Sequence, residues 1–150
     1  MSLNDNPLLK RPDVTLAVSR GVVRALLDRG YIPLMELTVA SGRRIDVAGL
    51  GPNGEIIAVE VKSSIEDYRA DQKWPEYFEW CDKLYFATAS DFPHDILPSE
   101  PGLIIADAYG GEVIRETQSR PLAPARRKAM TLRFARVAAE RLLRLPAVTP

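Results

Sequence analysis

The stretch from Arg43 to Lys62, RRIDVAGLGPNGEIIAVEVK, constrains the fold more than any other part of the chain. Two short runs rich in Ile and Val flank a cluster of Gly, Pro and Asn, the pattern of a β-hairpin. A three-residue loop over Pro52-Asn53-Gly54 suits it: Pro fixes φ early in a type I turn, and Gly takes the left-handed position that follows. That loop sets Asp46 directly opposite Glu60. Facing residues of an antiparallel pair point to one side of the sheet, with Cα atoms about 4.5–5.5 Å apart. Side chains alternate along a strand, so Lys62 shares the face of Glu60. A two-residue turn at Asn53-Gly54 instead sets Asp46 opposite Val61, so the clustering of charge depends on the loop.

Glu60 lies in Ile-Ile-Ala-Val-Glu-Val-Lys, a near-continuous apolar run that marks a strand covered on both faces. A carboxylate there is costly to bury unless it is paired or binds a metal. Two adjacent carboxylates repel, and a hard divalent cation removes the conflict. Mg²⁺ takes oxygen ligands and commonly only one or two protein carboxylates, keeping waters for substrate phosphate. Such an ion lowers the pKa of a bound water and neutralises charge on a scissile phosphate. The bland alternative is a solvated ion pair between Glu60 and Lys62, of little energetic weight.

Asp46, a hairpin, then Glu60-Val61-Lys62 resembles the core motif of the PD-(D/E)xK nuclease superfamily. Two further segments, Asp71 to Tyr77 (DQKWPEY) and Cys81 to Ala87 (CDKLYFA), make the likeness more particular. With the hairpin they resemble the MmcB-like DNA-repair proteins, over most of residues 13–115. The resemblance implies a restriction-endonuclease-like α/β core and Mg²⁺- or Mn²⁺-dependent hydrolysis of DNA phosphodiester bonds. It makes Asp46 and Glu60 metal ligands, with the Val61 carbonyl as a third, and Lys62 the catalytic lysine. It also suggests phosphate or metal-water contacts from Gln72 and Lys73. Ile45 stands where the superfamily name has Pro. The first helix offers only Asp13 and Asp28, both at its ends, so Glu36 on the first strand is the candidate accessory acid. A catalytically inactive DNA-binding or scaffold module with the same fold is the alternative.

The chain has 150 residues, enough for one domain with a sizeable core. Twenty Lys and Arg balance twenty Asp and Glu, so net charge gives no general signal for nucleic acid. One cysteine excludes an intramolecular disulfide framework and suits a reducing compartment. No apolar run is long enough to span a membrane, and no charged start precedes an apolar core. The expected location is cytoplasmic. The lone His94 excludes a His-rich zinc site, and no Gly-rich phosphate loop supports a nucleotide-binding α/β protein.

In order, residues 1–12 read as a loose lead-in. A helix follows from Asp13 to Arg29, with Val14, Val18, Val22 and Leu26 on its apolar face and Gly30 ending it. Tyr31 to Ala40 reads as a strand before the hairpin. Arg43 and Arg44 border the acidic patch as candidate DNA contacts. Ser64 with Asp67 predicts the start of a short helix, and Pro75 opens a second helical segment to about Cys81. Trp74, Tyr77 and Trp80 are equally readable as core anchors. Strands over 83–89 and 102–109, then an edge strand over 112–116, complete a mixed sheet with helices on both faces. Residues 120–150 carry eight Lys and Arg against one acid, Glu140. Over 124–145 this makes a basic helix, with Arg126, Arg133 and Arg144 in one line and Phe134, Ala135, Ala138, Leu142 and Leu145 opposite, packed on the sheet. The basic line suits either DNA backbone or solvent.

Overall fold

The computed structural model describes residues 11–147. The proposed lead-in falls largely outside them, except that the first helix, α1 (Arg11–Asp28), already includes its last two residues. Strands β1 (Ile32–Thr38), β2 (Arg44–Leu50) and β3 (Ile56–Val61) follow as an antiparallel meander. Helix α2 (Ile65–Ala70) and a 3-10 segment (Trp74–Trp80) lead to β4 (Lys83–Thr88). A short 3-10 turn at His94–Ile96 interrupts the next link, where sequence suggests only loop. Then come β5 (Gly102–Ala106), β6 (Gly111–Arg115) and α3 (Pro124–Leu143).

The six strands form one sheet in chain order. Pairs β3–β4 and β4–β5 are parallel and the others antiparallel, so the sheet is mixed. The central strands are apolar on both faces because both are covered. Val14, Val18, Val22 and Leu26 of α1 pack on Val47, Val59, Val61 and Tyr85. On the other face Met130, Phe134 and Val137 of α3, with Tyr77 and Cys81, pack on Ile45, Ala58 and Leu84. The α1 helix ends where its sequence ends it: Gly30 takes φ 86°, its amide bonds the Leu27 carbonyl, and the Tyr31 amide bonds that of Leu26. This pairing satisfies carbonyls that a helix terminus otherwise leaves open. At the start of α2, the Ser64 side chain accepts from the Asp67 amide, as the capping pattern predicts. In return the Asp67 carboxylate accepts from the Ser63 amide, one residue earlier than in a capping box.

Helix α3 corrects the expected orientation. Ala135, Leu142 and Leu145 are exposed rather than packed. The buried residues are Met130, Phe134 and Val137, so the helix is rotated from the face that leucine content suggests. The reason lies on β1, an edge strand with an open row of carbonyls. Arg141 donates to the carbonyls of Met35 and Glu36, and Arg133 Nε donates to that of Thr38 at 2.8 Å. Arg126 lies 3.9 Å over the Trp80 ring and donates to the Glu79 carbonyl. Arg127 reaches Asp82, whose carboxylate also accepts from the Ile56 and Leu122 amides. Much of the basic composition of this helix is thus spent on fastening it.

Candidate active site

The hairpin loop decides the position of the acids. Leu50 pairs with Ile56 and Val47 with Val59. The Gly51 amide bonds the Glu55 carbonyl and Gly54 takes φ 89°, leaving the three-residue loop 52–54 between them. Continuing that register sets residue 46 against residue 60. The two side chains are cross-linked through backbone: the Asp46 amide donates to Glu60 Oε1 at 3.3 Å, and the Val61 amide donates to Asp46 Oδ2 at 2.8 Å. Each carboxylate therefore has one oxygen bonded to a strand amide and one not used in those bonds.

Both line an open cleft of about 1150 Å³, together with Lys62 and Val61. Glu60 and Lys62 are buried. The Lys62 ammonium donates to Asp71 Oδ2 at 2.8 Å, and Asp71 Oδ1 accepts from the Lys73 amide. Burial is the first cause pushing the Glu60 carboxyl up, to about 9, and the Asp46 charge adds to it while Lys62 opposes. Asp46 is also raised, by burial first, against the pull of the Val61 amide, Lys62 and Arg44. The nearest ammonium is already shared with Asp71, so the pair holds more acid than the local cations neutralise. Tyr77 donates to the Arg44 carbonyl at 3.0 Å. Its hydroxyl is raised by burial and by Glu60 and Asp46.

The hairpin changes character beside Asp46. Glu36, alone among described non-glycine residues, has positive φ, at 55°. Before it, Met35 and Val47 face the core under α1; after it, Leu37 and Ile45 face the core under α3. A non-glycine residue in this region costs about 1–3 kcal/mol and tends to occur where a site demands it. Glu36 and Asp46 lie on the wall of the cleft at this switch between the two layers.

A family model described as DNA repair protein MmcB-like matches residues 4–149. The chain belongs to the MmcB-like family. It is also similar to a solved structure, the SPO1766 protein of unknown function from Silicibacter pomeroyi. The two are 46% identical, each is covered over 90% of its length, and the TM-score is 0.84. No curated protein is a significant match.

Within this MmcB-like chain the cleft gathers most of the residues singled out from sequence, but not all. Arg43, Arg44, Lys73 and Glu36 line it with the acids and Lys62. Arg43 is engaged by Glu76 at 2.7 Å, and among the described residues Arg44 and Lys73 form no ion pair in the cleft. Gln72 is a correction: its exposed amide folds back onto the carbonyls of Tyr68 and Arg69 and does not line the cleft. Its place at the end of α2 turns it along the helix axis. From α1 come Thr15, Leu16 and Ser19, and no carboxylate.

Sequence reasoning passes over Asp71 in favour of its neighbours Gln72 and Lys73. The signal was available, because a lysine in an apolar strand needs a counter-charge, and Asp67 and Asp71 are the acids that a short helix returns toward it. Among the described residues, no three ligating side chains converge as a ready-made metal cage. Mg²⁺ does not require one, since two carboxylates, a carbonyl and waters suffice. The donor set of Asp46, Glu60 and Val61 fits such an ion, since two adjacent carboxylates beside one ammonium already bonded to Asp71 leave negative charge that a cation would offset. No helix among the described residues is long and apolar enough to cross a membrane.

Proposed function

We propose that this MmcB-like protein is a PD-(D/E)xK-type phosphodiester hydrolase acting on DNA in repair. The observation that carries this reading is the cross-bonded pair of half-buried Asp46 on β2 and buried Glu60 on β3, with buried Lys62 just past the end of β3. Asp46 and Glu60 would hold one Mg²⁺ or Mn²⁺, with the Val61 carbonyl beside them. When bound, that ion supplies charge neutralisation at the phosphate and a water of lowered pKa. Glu60, whose carboxyl is raised by burial and by the Asp46 charge, would hold the ion as the carboxylate. Lys62, held by Asp71, presents an ammonium to the reacting phosphate or the attacking oxygen. Arg44 and Lys73 offer charge to flanking phosphates.

A second reading has its own observation. Helix α1 brings Thr15, Leu16 and Ser19 to the cleft and no acid, which removes a second carboxylate cluster and suits a module that binds DNA without cutting it. One experiment separates the two: incubation with Mn²⁺ or Mg²⁺ and a panel of duplex, single-stranded, flap and junction DNAs. The hydrolase reading expects metal-dependent cleavage of at least one substrate, lost in Glu60→Ala and in Lys62→Ala. Cleavage by Glu60→Ala at the wild-type rate overturns it, and DNA binding without cleavage under all metals selects the second reading.

A further inference from the structure

We propose that the outward face of α3 is a docking surface for an acidic amphipathic helix of a partner protein. The face is set by helical geometry. Ala125, Leu132 and Ala139 recur every seven residues, and Lys128, Ala135 and Leu142 recur three residues after each, the spacing of a helix-pairing seam. All six are exposed. Leu132 is 58% exposed, Leu142 69% and Leu143, which follows on the same face, 85%. Isolated surface leucines are ordinary, but an apolar row along a helix whose opposite side is already packed is the form of an interaction surface.

Two further observations say what would lie there. Beside Leu132 runs a groove of about 520 Å³ between α3 and the tip of the β1–β2 hairpin, lined by Val39, Ala40, Trp80 and Met130. It can take a bulky apolar anchor, as buried hot-spot side chains of helical ligands do. Its rim is basic, with Arg133 and Arg136 in the lining and Lys128 on the seam. The only acid on the helix is Glu140, 4.0 Å from Arg136. A second copy would lay side by side two helices that each carry six Lys and Arg against one acid, so charge disfavours self-pairing. DNA is disfavoured because five of the six seam residues are Ala or Leu and offer no donor to a phosphate. An amphipathic helix with acidic flanks satisfies both the seam and the rim. The 20 residues of α3 span about 30 Å, room for a partner of similar length.

The test uses a labelled synthetic peptide of about twenty residues, with Leu at the two seam positions of each heptad and Glu flanking them. Titration with the full chain by fluorescence anisotropy is expected to give saturable binding. Leu132→Asp should weaken it at least about tenfold while leaving the melting curve unchanged, since the side chain is mostly exposed. Leu143→Asp, at the far end, provides the same comparison should Leu132→Asp disturb the fold. Lys128→Glu with Arg136→Glu should shift preference to the peptide's Lys counterpart. No saturable binding, or binding that Leu132→Asp and Leu143→Asp both leave intact, overturns the proposal. So does a doubling of molar mass in light scattering that Leu132→Asp abolishes, which would make the occupant a second copy. Binding to duplex DNA or to vesicles containing phosphatidylserine that needs Leu132, with no peptide binding, overturns it as well.

Discussion

Two carboxylates at opposite ends of β3 are equally inaccessible to solvent and respond in opposite ways. Asp82, beside the start of the strand, and Glu60, near its end, are each 3% exposed. Asp82 accepts from the Ile56 and Leu122 amides and from Arg127, and its pKa is lowered despite burial. Glu60 accepts one long bond from the Asp46 amide, faces a second acid, and is pushed up to about 9. Burial alone therefore does not mark a functional group. The difference is depth and satisfaction together: Asp82 lies nearer the surface with a completed shell, whereas Glu60 lies deeper against Asp46 with a single amide bond, at a cleft.

Removing the satisfied acid should have the largest effect. Asp82→Ala is expected to cost about 3 kcal/mol in denaturant unfolding, because it breaks the Arg127 pair and both bonds that Asp82 accepts, from the Ile56 amide at the start of β3 and the Leu122 amide before α3. A loss below about 1 kcal/mol would mean that the two acids do not differ as described. Next in size, Mn²⁺ at a hundred times its dissociation constant should stabilise the wild type by about 2.7 kcal/mol through mass action. Calorimetric melts should show that gain vanish in Glu60→Ala, and a Mn²⁺ shift that survives the substitution would place the ion elsewhere.

Glu60→Gln should stabilise the metal-free protein near pH 8, by about 1–3 kcal/mol, or several degrees in Tm. The sign follows from proton binding. The folded carboxyl titrates near 9 against an ordinary 4.5, so the folded state binds more protons between those values and stability falls as pH rises through them. Glu60→Gln should flatten that fall, and melts from pH 5 to 9 with chelator present measure it. Asp82 behaves in reverse. Its contribution is present above its unfolded pKa and is lost as acid is added through its lowered folded value. A smaller effect is expected from Arg133→Ala, about 1 kcal/mol, through the uncovered Thr38 carbonyl. Smallest of all, Gln72→Ala should change cleavage and stability within about 0.5 kcal/mol, as its amide bonds only its own helix.

How much was legible can be judged from particular residues. The register of Asp46 and Glu60 was, because Pro52 and Gly54 admit few loop geometries and a loop of fixed length fixes every pair behind it. The ends of α1 and α2 were, because Gly30 and Ser64 act on bonds a few residues away. The leucines of α3 were misread for one reason. Sequence pattern gives a helix two faces, but which face the sheet takes depends on what the sheet lacks, and β1 lacked partners for its carbonyls.

The sequence by itself determined the local alphabet of this protein: the hairpin, its loop, the order of strands and helices, and an acid-acid-lysine set on one face. These follow from the short-range rules of backbone sterics, side-chain alternation and capping. The tertiary structure alone decided three things: that Asp71 holds Lys62, that the cleft lies at the switch between layers beside Glu36, and that arginines turn inward to β1 while leucines face out. Each of these depends on groups brought together from distant parts of the chain, where hydrogen-bond demand and charge at the meeting point outweigh the preference of either segment alone.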